Sequence, residues 1–141
     1  RTAMDELQLF LDRHPTSLRR DTCNVMIGAL RSKLETKAWN GAKLYFTTSK
    51  FQSATKALLN FMSDWPASQY AEEAQFLVVK CQFLYAERST LRRQPERYAD
   101  AIESYFTFAA RFPESERLQE AELYHRKCRQ GLDRASKETD I

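Results

Sequence analysis

The stretch ATKALLNFMSDWPASQYAEEA, residues 54–74, decides the fold because the chain carries two further versions of it. They are AMDELQLFLDRHPTSLRRDTC at residues 3–23 and AIESYFTFAARFPESERLQEA at residues 101–121. In each version an Ala stands twelve residues before the Pro, a Phe five before it, a Ser two after it and a small residue eight after it. Such regular self-similarity is typical of helical repeat arrays, which bind partners along extended surfaces.

The spacing of the three versions predicts a tetratricopeptide-like array with two insertions. Pro66 lies 51 residues after Pro15, and Pro113 lies 47 residues after Pro66, whereas a tetratricopeptide repeat has about 34 residues. Small residues at Ala42 and Ala54 let the two antiparallel helices of the middle repeat approach closely. We therefore predict an all-α superhelix of antiparallel helix pairs, made of a partial repeat at 1–34, a full repeat at 35–68, an extended repeat at 69–115 and a capping helix at 116–135.

The two insertions predict different structures. Residues 17–49 contain no Pro, and their apolar residues recur at helical spacing, so we expect one long helix at about 17–49. The second insertion contains the polar stretch at residues 88–97, where we expect a helix from about 68 to 87 to end in a loop. The repeat resumes at Tyr98. The small residues expected to be buried where helices touch are Ala42, Ala54, Ala74 and Ala101.

Composition favours a single globular domain and excludes two classes of protein. The 141 residues include 22 Lys and Arg against 19 Asp and Glu, a net charge of +3, which lacks the concentrated basic footprint of nucleic-acid binders. No apolar run approaches the length of about 18 residues that a membrane span requires. No signal peptide or lipid-attachment motif occurs. Because the chain begins at Arg1 inside a predicted helix, we expect it to be a fragment of a longer protein.

No motif in the sequence predicts catalysis or a bound cofactor. The chain has no glycine-rich phosphate loop, zinc-protease helix motif or serine nucleophile elbow. We expect Cys23, Cys81 and Cys128 to be buried free thiols, with a Cys81–Cys128 disulfide as the alternative. The sequence therefore predicts a non-enzymatic protein with no cofactor, no metal, no nucleic-acid partner and no small-molecule substrate.

One row of residues is a candidate for binding a protein partner. In a tetratricopeptide array the first helix of each pair lines the concave face, which would place Trp39, Lys43 and Phe46 side by side. An aromatic–basic–aromatic row suits a peptide with an apolar anchor and a carboxylate. The alternative is that Trp39 and Phe46 pack against the first half of the long helix or an upstream repeat. The corresponding row on the next helix consists of Gln75, Val78 and Val79, with Gln82 one turn further on.

The polar stretch at residues 88–97 is the second candidate. It predicts a docking loop for an acidic protein surface, because long loops in compact domains often carry function. The alternative is a solvated connection whose arginines bond to carbonyl groups at the end of the preceding helix. The basic residues of this stretch are Arg88, Arg92, Arg93 and Arg97, and the acidic neighbours are Glu87 and Glu96.

With the repeats placed, the chain resembles the C-terminal part of the BamD family, the tetratricopeptide lipoproteins of the bacterial outer-membrane β-barrel assembly machinery. The resemblance covers roughly residues 3–132. It rests on AKLYF at 42–46, FQSA at 51–54 and DWPASQY at 64–70. Its most specific stretches are EAQFL at 73–77, LYAERS at 84–89, ERY at 96–98 and RFPES at 111–115. The stretch AERS at 86–89 followed by ERY resembles the versions found in the Bacteroidetes group.

This resemblance implies a non-enzymatic scaffold on the periplasmic face of the outer membrane, attached through a lipidated Cys upstream of this chain. In the family, the C-terminal repeats dock on a periplasmic POTRA domain of the barrel-forming subunit and on accessory lipoproteins. The chain would then be the docking half. No contact residue of the family transfers, because Ala57 stands where a basic contact would be expected. The alternative is another periplasmic tetratricopeptide adaptor that binds peptides or cell-envelope proteins.

Overall fold

The computed structural model describes residues 2–13 and 17–139, and within those ranges it contains six helices and no strand. The prediction of an all-α fold is confirmed for this part of the chain. The first Pro-containing motif, at residues 14–16, lies outside the described residues. The helices are α1 (Thr2–Arg13), α2 (Ser17–Thr47), α3 (Phe51–Asp64), α4 (Ala71–Glu87), α5 (Gln94–Arg111) and α6 (Leu118–Thr139).

Two of the predicted helices are found close to their expected positions. The long helix expected at about 17–49 is α2, which ends at Thr47. The helix is followed by a residue in the left-handed conformation, Ser49, with φ 62°. The next N–H, that of Lys50, donates to the Tyr45 carbonyl at 2.9 Å. This bond satisfies one of the free carbonyls of the last helical turn. The helix expected at 116–135 is α6, which begins two residues later and continues to Thr139.

The described chain divides into two compact units, Arg1–Ala38 and Trp39–Ile141. The first unit contains α1 and the part of α2 up to Ala38, and in it Cys23 is buried. The second unit contains the end of α2 from Trp39 together with α3, α4, α5 and α6. Every candidate site described below lies in the second unit. No helix of the described residues is both long enough and apolar enough to cross a bilayer.

Helix α4 is the centre of the second unit and packs against α3, α5 and α6. Its apolar residues cover nearly its whole circumference, which is typical of a helix enclosed by neighbours. Helices α3 and α5 instead bury one stripe each. For α3 that stripe consists of Phe51, Ala54, Leu58, Phe61 and Met62, and for α5 of Tyr98, Ala101, Tyr105 and Phe108.

Small residues stand where these helices approach each other. The four alanines expected to be buried are all at most 2% exposed, so that prediction is confirmed. Gly131 of α6 allows a still closer approach, because a Cβ added there would lie 2.5 Å from Cζ of the buried Tyr98 ring. The packing of α6 on α5 therefore depends on Gly at this position.

The linkers after α3 and α5 have the same hydrogen-bond scheme. Trp65 and Phe112 end the two helices with φ/ψ values of −131°/64° and −129°/64°. Three residues further on, the Ser68 N–H donates to the Trp65 carbonyl at 3.1 Å, and the Ser115 N–H donates to the Phe112 carbonyl at 3.2 Å. Each Ser Oγ also accepts the N–H two residues later at 3.1 Å. The Pro stops the helix and the Ser fixes the turn, so the sequence repeat is also a structural repeat.

The polar loop is shorter than the sequence predicted. We expected it to span residues 88–97, but α5 already begins at Gln94, and the connection is residues 88–93. A Pro in the first turn favours this helix start, since its missing N–H has no helical partner to lose. In addition, Gln94 Nε2 donates to the carbonyls of Glu87 and Ser89 at 3.5 and 3.2 Å. Arg97 therefore lies on a helix and not on a loop.

All three cysteines are buried free thiols, which confirms the main expectation. The alternative, a Cys81–Cys128 disulfide, is not formed. Burial raises the pKa of both Cys81 and Cys128 to about 12. Both groups therefore remain protonated near neutral pH and act as small apolar side chains.

Candidate functional site

The structure buries Trp39, unlike the other two members of its predicted row, although Lys43 Nζ lies 5.5 Å from the centre of the Trp39 ring. Trp39 is only 4% exposed. Its indole stacks on the Tyr70 ring with centroids 5.2 Å apart and an interplanar angle of 9°, and it lies 5.6 Å from the Phe61 ring. The side chain thus belongs to the interior of the second unit, and a partner has no access to it in this arrangement.

Lys43 and Phe46 remain accessible, on a face that they share with α4 and α6. Lys43 Nζ lies 3.5 Å from Glu73 Oε2. Lys80 Nζ lies 5.4 Å from the centre of the Phe46 ring and 6.0 Å from that of Tyr124, within the range of cation–π attraction. These five residues are termed the α2–α4–α6 face, and they combine two ammonium groups with two aromatic rings.

The members of the row predicted on α4 do not lie on this face. Gln75 and Val79 are buried, at 5% and 0% exposure. Gln75 Nε2 donates to the Ser104 carbonyl at 3.5 Å, and the Ser104 hydroxyl donates to Gln82 Oε1. Both glutamines therefore face α5, and the prediction that this row continues the surface of Lys43 and Phe46 is wrong.

Sequence reasoning missed the two α4 residues that do continue that surface. Glu73 and Lys80 are seven residues apart, which is about two helical turns and places them on one side of a helix. Arg117, the residue before α6, extends this cluster of charges. Its Nη1 lies 3.2 Å from Glu72 Oε2, and its Nη2 lies 3.5 Å from Glu73 Oε1. The seven-residue spacing of opposite charges was the available signal.

Two of the four arginines at residues 88–97 hold the connection against the helices. The Arg88 guanidinium lies 4.8 Å from the centre of the Phe51 ring. Arg97 lies 4.2 Å from the centre of the Tyr85 ring, and its Nη1 donates to Ser89 Oγ at 2.6 Å. The alternative expectation was that these arginines donate hydrogen bonds to carbonyl groups at the end of α4. In the structure, Gln94 Nε2 donates to the carbonyls there instead.

The other two arginines are exposed and stand beside an exposed leucine. Leu91 is 58% exposed, and Arg92 and Arg93 are exposed as well. None of the ion pairs of the described residues involves either arginine. The tip of the connection therefore presents one apolar and two uncompensated positive side chains.

A polar groove runs along α4 between α3 and α5. Two neighbouring hollows of about 240 and 270 Å³ share Gln82 and Asp100 in their walls. The first hollow lies next to the connection at residues 88–93, and the second lies further along α5. The groove is termed the α3–α5 groove, and its charged members are Lys56, Arg93, Glu96, Arg97, Asp100 and Glu103.

The carboxylates of this groove lie on α5 and repel one another. Burial raises the pKa of Asp100, and the charges of Glu96 and Glu103 raise it further. No ion pair in the described part of the chain joins any of the three to a cation. These carboxylates therefore form no close ion pair, although Arg93 and Arg97 line the first hollow beside Glu96 and Asp100.

Comparison with known proteins adds no assignment to this geometry: no family model matches the chain, and no curated protein matches it significantly. Among the described residues, no group of three or more His, Cys, Asp or Glu side chains is arranged to hold a metal ion. The surfaces available for a functional argument are thus the α2–α4–α6 face, the tip at residues 91–93 and the α3–α5 groove.

Proposed function

We propose that the chain is a tetratricopeptide-like docking domain of the outer-membrane β-barrel assembly machinery. It is a non-enzymatic scaffold that binds the periplasmic domain of the barrel-forming subunit and accessory lipoproteins, at the periplasmic face of the outer membrane. The observation that carries the proposal is the duplicated unit formed by α3 and α5 with their linkers. Ala54 and Ala101 occupy equivalent buried positions in it, and Trp65 and Phe112 equivalent helix ends, as tetratricopeptide-like stacking requires.

The tip at residues 91–93 is the contact surface in this proposal. Arginine and exposed apolar side chains are enriched in protein interfaces. Two uncompensated guanidinium groups attract an acidic surface and favour fast association with it. The tip also stands on a braced connection, since Arg88 and Arg97 hold its two ends, so that little order is lost on binding.

Reversing the charge of the tip tests this assignment. The double variant Arg92→Glu/Arg93→Glu should bind the purified periplasmic domain of the barrel-forming subunit about tenfold more weakly, because two attractions become repulsions. Calorimetry measures the affinity, and circular dichroism checks that the helix content is retained. The matched control is Arg126→Glu/Lys137→Glu, which makes the same change in net charge at exposed positions of α6 and should bind like the parent.

Two outcomes would contradict parts of the proposal. Equal affinity of the parent and the tip variant would remove residues 91–93 as the docking element. Failure of the parent chain itself to bind the periplasmic domain would contradict the assembly-machinery function. The second candidate, a periplasmic adaptor for peptides, is favoured by the α2–α4–α6 face. There, a peptide carboxylate would replace Glu73 at Lys43 or Glu120 at Lys80, and an apolar side chain would pack on Phe46.

A further inference from the structure

We propose that the α3–α5 groove is a second binding site, and that it takes an extended polypeptide segment with one acidic and one basic side chain about three residues apart. This site is separate from the α2–α4–α6 face, because it uses Gln75 and Gln82 of α4 whereas that face uses Glu73 and Lys80. It goes beyond the proposed docking function and does not depend on it.

The floor of the groove matches the main chain of an extended peptide. Gln75 is only 5% exposed and its Nε2 is bonded to the Ser104 carbonyl, so it forms the base of the groove without binding a peptide. Gln82 is half-buried and uses its Oε1 on the Ser104 hydroxyl, which leaves its Nε2 to donate to a carbonyl. An extended segment carries unpaired carbonyls along its length, so this amide can bind it without regard to its side chains.

The cations of the groove line its first hollow, whereas the second hollow is lined by carboxylates without a cation. Lys56 lies on the α3 wall of the first hollow, and Arg97 lines the same hollow from α5. Glu103 lies on the α5 wall of the second hollow, and the six residues from Arg97 to Glu103 span about 9 Å of helix. An extended chain covers that distance in about three residues, and side chains three apart point to opposite sides. An acidic side chain facing Lys56 is thus followed by a basic one facing Glu103.

The repulsion on α5 favours a cationic side chain at the second position. Glu96, Asp100 and Glu103 follow one another at helical spacings of four and three residues, so their charges lie on one side of α5. A bound ammonium or guanidinium group would offset this repulsion, whereas a second acidic group would add to it. The groove therefore discriminates against segments that carry only negative charge.

Four labelled nine-residue peptides test the proposal by fluorescence anisotropy. The reference is Gly-Ser-Thr-Glu-Ser-Thr-Lys-Ser-Gly, and the others replace the charged pair by two Glu, two Lys or two Gln. The parent chain should bind the reference peptide about fivefold more tightly than any of the other three, since exposed charge pairs contribute modestly. Raising the salt concentration should reduce this difference.

Charge reversals in the walls locate the site. The variant Asp100→Lys/Glu103→Lys should come to prefer the two-Glu peptide by about fivefold, and Lys56→Glu should come to prefer the two-Lys peptide. The matched control Glu114→Lys/Glu116→Lys changes exposed acids outside the groove and should keep the order of the parent. Circular dichroism confirms that each variant is folded.

Equal binding of the four peptides by the parent would overturn the proposal, as would an order of preference that the wall variants leave unchanged. Either result would leave the docking function standing, because none of the wall variants alters the tip, although Arg93 lines the groove as well as the tip.

Discussion

Gly131 shows how much of the packing rests on a single residue without a side chain. The buried Tyr98 ring occupies the space where any other residue would place its Cβ, 2.5 Å from the ring carbon Cζ. Tyr98 is 3% exposed and stands beside the Phe83 ring, with centroids 6.5 Å apart, so it has little room to withdraw. Gly41 of α2 differs, because a Cβ added there meets nothing within 4 Å.

The two glycines therefore predict opposite effects of the same substitution. Gly131→Ala should lower the free energy of unfolding by about 2 kcal/mol, because the added methyl group overpacks the α5–α6 contact. Gly41→Ala should raise it by up to about 1 kcal/mol, because Ala is the better helix former. Urea unfolding followed by circular dichroism measures both. A Gly131→Ala variant as stable as the parent would contradict the close approach.

His125 is a half-buried polar group with one ring nitrogen, Nε2, that is buried without a hydrogen bond to the described part of the chain. Its ring stacks on Tyr105 with centroids 4.4 Å apart and meets the edge of Phe106 at 5.1 Å. Its Nε2 is buried and has no hydrogen-bond partner among the described residues. Burial lowers the pKa of this imidazole below its ordinary value of 6.5, Arg129 lowers it further, and Glu122 opposes the shift. The folded chain therefore favours neutral His125.

This arrangement predicts a loss of stability in mild acid. Because the pKa is lower in the folded chain, the unfolded chain binds the proton first, and the contribution of neutral His125 is lost as pH falls through about 6.5. The parent should therefore lose more stability between about pH 7.5 and 5.5 than His125→Phe, which keeps the stacking and cannot titrate. Urea unfolding at the two pH values measures the loss of stability of each chain. Because both chains contain Asp100, its opposite contribution cancels when the two losses are subtracted. Parallel pH profiles would contradict it.

At the scale of the element, α3 depends on Ala54 at its contact with the rest of the unit. Ala54 is fully buried, whereas its neighbour Ser53 is exposed. Ala54→Trp should destabilise the chain by about 3 kcal/mol, because the enclosed position cannot take an indole without moving a helix. Ser53→Trp is the matched control and should change stability by less than about 0.5 kcal/mol. A melting temperature of Ala54→Trp equal to that of the parent would show that the helix pair is looser than described.

The elements that the sequence predicted well are those with a repeated signal. Ala54, Ala74 and Ala101 could be placed in the interior because they stand at the recurring small-residue positions around the Pro-containing motifs, and Ala42 because of its position within the 34-residue repeat. The start of α5 was missed by about four residues, although Pro95 at its first turn was an available signal. Polar residues on both sides of that Pro left the boundary without a change in pattern.

The candidate surfaces were harder to predict, and α4 is the reason. Ten of its residues are buried, so its hydrophobic pattern does not single out one face, and the sequence alone could not orient the helix. Gln75 and Val79 were consequently assigned to the same surface as Lys43, where Glu73 and Lys80 are found. The α3–α5 groove was not predicted, since its charges come from helices that are distant along the chain.

At the scale of the whole molecule, the two described units differ in what they offer to a partner. The second unit holds the tip at residues 91–93, the α2–α4–α6 face and the α3–α5 groove. Arg93 belongs to both the tip and the groove, whereas the α2–α4–α6 face shares no residue with either. A domain with two such separate regions can hold more than one partner at once, and linked contacts reinforce each other through effective concentration. In the proposed docking function, this would let the chain bind both a subunit and a peptide segment.

The matching turns at Ser68 and Ser115 have an evolutionary consequence. Each turn is closed mainly by bonds among its own few residues, and the turn after α3 also accepts a hydrogen bond from Arg111 of α5 at the Pro66 carbonyl, at 2.7 Å. A gene segment that encodes one helix pair and its turn can therefore be copied in tandem, because each new copy is joined to the previous one by a turn of the same geometry. Descendants of such a chain can become longer or shorter by whole modules while their remaining surfaces stay intact.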